Sequence, residues 1–175
     1  MKKTILLIIS ILIIYILLGN EFSKVVIPEE AIRIRIIANS NSEYDQYVKT
    51  KIKNNIENNI YEMLKDTKSI EESRAIINNN LSVIDNNIKD TLQLLNSNTN
   101  YTINFGLNYF PMKEYKGIKY NSGYYESLVV TLGKGEGDNW WCVLFPPLCL
   151  LEAEESTEVE YKSLVKEIID KYFNT

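Results

Sequence analysis

Ile32, Ile34 and Ile36 alternate with Arg33 and Arg35, the period-two pattern of a half-buried strand. Asn39-Ser40-Asn41-Ser42 interrupts it, and the period changes. Tyr44, Val48, Ile52, Ile56, Ile60 and Leu64 recur at four-residue steps and predict one apolar stripe on a helix. The Ser40 to Glu43 spacing predicts its capping box. Ser69 and Glu72 repeat that spacing, and Ile77, Leu81, Ile84, Ile88, Leu92 and Leu95 follow at steps of three and four. Two long tandem helices are predicted, joined near Asp66-Thr67-Lys68 and paired antiparallel. Their other faces, rich in Asn, Lys and Glu, read as solvated.

Tyr101, Ile103, Phe105 and Leu107 alternate with polar or small residues and predict a second strand. Tyr109 to Tyr120, broken by Pro111 and Gly117, predicts a short strand and turn. Leu128, Val130 and Leu132 mark a third strand. Gly133 to Asn139 reads as a hairpin turn needing positive φ. Trp140 to Phe145 is continuously apolar, which predicts a strand at the sheet centre or covered on both faces, and Pro146-Pro147 ends it. Thr157 and Glu160 cap a last helix with Tyr161, Leu164, Val165, Ile168 and Tyr172 on its apolar face. The order predicts an α+β domain, a small mixed or antiparallel sheet packed against a pair of long helices and a C-terminal helix.

The N-terminus follows another rule. Lys2 and Lys3 precede an unbroken apolar stretch from about Thr4 to Gly19, short for a bilayer span and right for a signal segment. Positive charge before it and Glu21 after it favour an N-in orientation that sends the rest outward. With no Ala-x-Ala ahead of the soluble part, cleavage and a retained membrane anchor both stay open. The predicted plan is 1–22 signal peptide or N-terminal membrane helix, 23–30 linker and 31–175 one extracytoplasmic domain.

Composition narrows the functions. The formal net charge is −4, and without Lys2 and Lys3 the rest carries 17 basic against 23 acidic residues. That balance argues against nucleic acid and anionic headgroups as partners of the domain. The chain contains no histidine. Ser-His-Asp and Cys-His catalysis are excluded, and the commonest metal ligand is missing. No cofactor is expected.

Candidate chemistry is sparse. Gly133, Gly135 and Gly137 lack the Gly-Lys-Ser/Thr of a phosphate loop, and a strand rather than a helix follows. Cys142 and Cys149 flank Pro146-Pro147 and are either a disulfide or two buried thiols. Glu152, Glu154, Glu155, Glu158 and Glu160 suit the start of the last helix. Arg33 and Arg35 share one strand face, where they pair with acids of a neighbouring strand or receive a partner carboxylate. Adjacent Trp140 and Trp141 point to opposite faces, one toward the core and the other a potential interface anchor.

Two stretches go further. Ile32-Arg33-Ile34-Arg35-Ile36-Ile37-Ala38-Asn39-Ser40-Asn41-Ser42, followed by Asp45-Gln46, resembles the opening motif of the stage II sporulation protein R family. Gly133-Lys134-Gly135-Glu136-Gly137-Asp138-Asn139-Trp140-Trp141-Cys142-Val143-Leu144-Phe145-Pro146-Pro147-Leu148-Cys149 resembles that family's most distinctive signature. Asn41 stands where many members carry an acid. The resemblance covers roughly Pro28 to Leu150. It implies a protein made in the forespore and exported into the space between two membranes. There it signals to a membrane-embedded aspartyl protease of the mother cell, which processes the precursor of the early mother-cell sigma factor. On that reading the chain is no enzyme. Trp140, Trp141, Pro146 and Pro147 are the expected contact surface, with Arg33, Arg35 and Asn39 as a second patch. The alternative is a cell-envelope hydrolase using paired carboxylates drawn from Glu126, Glu136 and Asp138.

Overall fold

The computed structural model describes residues 30–115, 118–150 and 158–173. The predicted leader lies outside them. Among the described residues no helix is long and apolar enough to cross a membrane.

The first strand, β1 (Ile32–Ile37), leads to α1 (Glu43–Leu64), α2 (Ile70–Asn79) and α3 (Leu81–Leu94). Strands β2 (Tyr101–Phe110), β3 (Lys113–Tyr115), β4 (Ile118–Tyr120), β5 (Gly123–Leu132) and β6 (Asn139–Phe145) follow. A 3₁₀ turn (Leu148–Leu150) and α4 (Glu158–Phe173) complete the described chain. The main sheet has the order β2-β5-β1-β6, and β3-β4 is a separate hairpin. β1 runs parallel to β5 and antiparallel to β6, so the sheet is mixed. The α+β expectation holds.

The alternation in β1 fixes the two layers. Ile32, Ile34 and Ile36 join Val48, Ile52, Ile56 and Ile60 of α1 and Ile84, Ile88 and Leu92 of α3 in one buried cluster. The opposite face is covered by a second cluster, in which Ile118 and Tyr120 of the hairpin and Val165 of α4 meet Val143. A register shift where Ile32 pairs with Phe145 and Arg33 with Val143 lets Leu144 and Phe145 both serve the first cluster.

Several expectations need correction. The predicted second helix is two, α2 and α3, broken at Asn80, whose φ of −111° and ψ of 12° leave the helical region. Asn80 spends its side chain on the carbonyl of Ile76 (2.8 Å), the local competition that makes Asn poor in helix interiors. The α1 cap is Ser42, which accepts from the Asp45 amide, not Ser40. Ser69 does cap α2, accepting from the Glu72 amide. The Glu72 carboxylate reaches back to the Lys68 amide (2.9 Å). β6 is an edge strand, covered on both faces rather than central. Leu164 is 40% exposed, and Ile169 takes its place on the buried face of α4. The predicted α4 cap at Thr157 lies outside the described residues.

Candidate interaction site

The two signature stretches meet at one end of the sheet. β5 and β6 are not neighbours, because β1 lies between them. Residues 133–138 are therefore no hairpin turn but a crossing over the end of β1, and that crossing accounts for the glycines. Gly133 and Gly135 have φ of 55° and 67°, a region side chains rarely adopt. A Cβ on Gly133 would overlap the Asn39 side chain, and one on Gly137 the Ser40 carbonyl.

The crossing loop hydrogen-bonds to the segment beneath it. Asn39 Oδ1 accepts from the Lys134 amide (2.9 Å) and Asn41 Oδ1 from the Asp138 amide (2.6 Å). The carbonyls of Asn39 and Ala38 accept from the amides of Glu136 (3.1 Å) and Gly137 (3.0 Å). Four loop amides are thus spent within the protein, which removes the backbone donors an anion would need. Asn41 serves only as an acceptor here, a role a carboxylate fills equally well. Asn39 also donates through Nδ2 to Asp45 (2.8 Å), and Ser40 donates to the same oxygen (2.5 Å). These bonds, that from Ser40 first, hold the Asp45 carboxyl below its ordinary pKa. Asn39 is a clamp between loop and helix rather than an open contact residue.

Trp140 and Trp141 do point to opposite faces, and both are half-buried. Trp140 lies on the α1 side, where an apolar groove is lined by Ile34, Glu57, Ile60, Tyr61, Leu64, Lys65, Trp140, Leu144, Pro147 and Cys149. Lys53 Nζ sits 5.3 Å from the Trp140 ring centre. Pro147 is half-buried at the groove wall, whereas Pro146 is buried and presents no surface. Cys142 and Cys149 are joined as a disulfide, with Cα atoms 5.6 Å apart, within the ordinary range for a bridge. Sequence reasoning missed Tyr61 and Lys65. Tyr61, an exposed aromatic next to the buried stripe of α1, was the available signal.

Trp141 faces the other layer, among Phe110 (5.9 Å between ring centres) and Tyr120 (4.6 Å). Arg33 lies beneath it and is 1% exposed. The predicted acid partners on a neighbouring strand are not there. Instead the Arg33 guanidinium stacks 3.3 Å from the Tyr125 ring centre. Burial, opposed by Tyr125, lowers its pKa, but an arginine stays charged in a protein. Arg35, half-buried, donates to the Tyr109 carbonyl (3.4 Å). In the amide orientation that satisfies both partners, Asn139 Oδ1 accepts from Arg35 Nη2 (2.7 Å) and Nε (3.0 Å). Burial lowers the Arg35 pKa as well. Arg33, Arg35 and Asn39 therefore do not form one exposed patch.

The candidate carboxylates sit on two elements, Glu126 on β5 and Glu136 with Asp138 on the crossing loop. Glu126 on β5 is held by the Arg74 fork, at 2.6 and 2.8 Å. Asp138 lies on the crossing loop, where its carbonyl takes Lys49 Nζ (3.1 Å). Among the described residues no group of three or more Cys, Asp or Glu side chains is placed to hold a metal ion.

Comparison with known proteins agrees with the two signatures. A family model described as Stage II sporulation protein R matches residues 28–155. A relative described as Stage II sporulation protein R, from Bacillus subtilis (strain 168), is 41% identical over 155 residues, covering 87% of this chain and 69% of that protein. No solved structure matches. With most of its length matched, and the signature residues forming both the crossing loop and the Trp140 groove, the chain belongs to the stage II sporulation protein R family and has a role in sporulation.

Proposed function

We propose that this protein is an exported signalling ligand that works by binding and not by turnover. It is made in the forespore and carried out by its N-terminal segment, cleaved or retained as an anchor, into the space between the two membranes. There it docks on the extracytoplasmic part of a membrane-embedded aspartyl protease. The protease then processes the precursor of the early mother-cell sigma factor. Family membership supports this reading, and the observation that carries it at residue level is the groove. The most distinctive signature residues of the chain, Trp140, Pro147 and Cys149, line an apolar recess on an edge strand, open to an incoming surface. A half-buried tryptophan in a recess is the residue type enriched among interface anchors.

A ligand shifts its receptor only through unequal affinity for the receptor's two states. The groove must therefore fit the active, dimeric arrangement of the protease better than the resting one. The envelope-hydrolase alternative has no observation in its favour, since Glu126 is already held by Arg74. The test is co-expression of this chain with the protease and the sigma precursor in a host that does not sporulate. Precursor cleavage that depends on this chain is expected. Equal cleavage in its absence, or release of fragments from peptidoglycan by the purified protein, overturns the reading.

A further inference from the structure

Arg33, Arg35 and Lys113 crowd around two rings without a counter-charge. Arg33 Cζ lies 5.7 Å from the Phe110 ring centre and 5.9 Å from that of Trp141. Arg35 Cζ lies 5.8 Å from Phe110, and Lys113 Nζ 5.4 Å from Trp141. Among the described residues the ion pairs are Lys53–Glu57, Lys65–Glu62 and Arg74–Glu126, and none involves this cluster. Arg33 Nε and Nη1 have no hydrogen-bond partner at all. Aromatic faces attract cations but do not neutralise them. A buried charge lacking a partner is costly, and here it occurs in a chain whose acids outnumber its bases.

We propose that this face, centred on Trp141, receives a carboxylate presented by an acidic segment of a protein partner. The inference rests on the signalling reading above and adds the chemistry of a second contact, on the layer opposite the groove. Lys113 is exposed and Trp141 half-buried, so the rim is open to solvent. Lys113 makes the contact, and Arg35, held by Tyr109 and Asn139, adds its charge beside it. Arg33 sits one layer down and supplies positive potential that solvent does not screen. Lys49 of α1 also feels the charge of Lys113. Its pKa is lowered by burial first and by the charge of Lys113, against the opposing pull of Asp138. An anionic membrane surface fits less well, because it is read by several exposed cations. Here one of the three cations is exposed, one is half-buried and one is buried.

The full chain, kept in a non-ionic detergent and carrying Trp140→Phe so that Trp141 is its single tryptophan, is titrated with an acetylated, amidated tetraglutamate. Inorganic phosphate and phosphatidylglycerol vesicles serve as parallel probes, and Trp141 emission is read. A saturable change with the peptide is expected, weakened about tenfold by Lys113→Glu and by raised salt, and abolished by Arg33→Gln if that variant keeps its far-ultraviolet spectrum. Lys113→Glu alters an exposed side chain and keeps the test decisive if Arg33→Gln unfolds. No saturable change, indifference to Lys113→Glu, or an equal response to phosphate or vesicles overturns the proposal. In the co-expression assay, a wild-type chain that triggers cleavage alongside an equally active Lys113→Glu sinks this inference alone. A silent wild-type chain sinks the signalling reading instead.

Discussion

Replacing Asn39 by Ala separates a clamp from a contact residue. The side chain makes one hydrogen bond to a neutral backbone donor, the Lys134 amide, and one to a carboxylate, Asp45. The first contributes about 1 kcal/mol, and the second, charge-assisted, about 1.5–3 kcal/mol. The first is exposed and the second only partly buried, so solvent screening brings the loss below the plain sum, to about 2 kcal/mol. The Lys134 amide becomes free to turn to water, so no large penalty for a stranded donor is added. A loss of that size lowers the midpoint of a domain this long by about 4–8 °C. The assay is urea unfolding followed by tryptophan emission, with the slope checked so that the midpoint reports stability alone. Asn39→Asp is the informative companion. It keeps the acceptor for Lys134 but sets a second carboxylate against Asp45, so it destabilises at neutral pH and recovers as the pair takes up a proton. A loss under about 0.5 kcal/mol in Asn39→Ala, with signalling abolished, refutes the clamp and returns Asn39 to the partner surface.

Trp140→Ala empties one wall of the groove, and is expected to abolish precursor cleavage in co-expression while the protein stays folded and exported. Cleavage at the wild-type level removes the groove from the interface. Reducing the Cys142–Cys149 bridge, which spans a sequence separation of 7, frees a short loop worth about 2 kcal/mol. A urea midpoint unchanged by reductant, with both thiols then alkylated, contradicts that value. Asp45 has a depressed carboxyl pKa in the folded state. Its contribution to stability is present above the unfolded value of 3.8 and is lost as pH falls through the lower folded value. Acid titration of stability in Asp45→Asn is expected to be flatter than wild type over that window, and parallel curves tell against it.

The layers were legible because period two and period near four are imposed by burial on one face. Ile32, Ile34 and Ile36 marked the strand, and Val48 to Leu64 and Ile84 to Leu92 marked the helices that cover it. What alternation does not encode is who pairs with whom. Reading 133–139 as a hairpin followed from its glycines, yet the same residues serve a loop passing tightly over β1. The difference lies in strand order, which is set by contacts distant in sequence. Arg33 was misread for a related reason. A polar residue alternating with isoleucines normally faces water or an acid, but here Tyr125, Phe110 and Trp141 from three other strands enclose it. Asn80 breaks a helix inside an otherwise regular stripe, and its two asparagine neighbours, Asn78 and Asn79, were the available warning. Leu107, alternating correctly, is 74% exposed because the covering layer stops short of it.

The position of β1 bears on how the chain becomes a protein. β1 leaves the ribosome before every other described strand, yet both of its neighbours come late: Ser127 pairs beside Arg33, and Cys142 beside Ile34. The helices can coil as soon as they emerge, since their bonds are local. The sheet centre must wait, at the entropic cost of closing a long loop, until nearly the whole polypeptide is available. On the export route proposed above, the chain crosses the membrane with its central strand unpaired and gains its tertiary order in the compartment where it arrives.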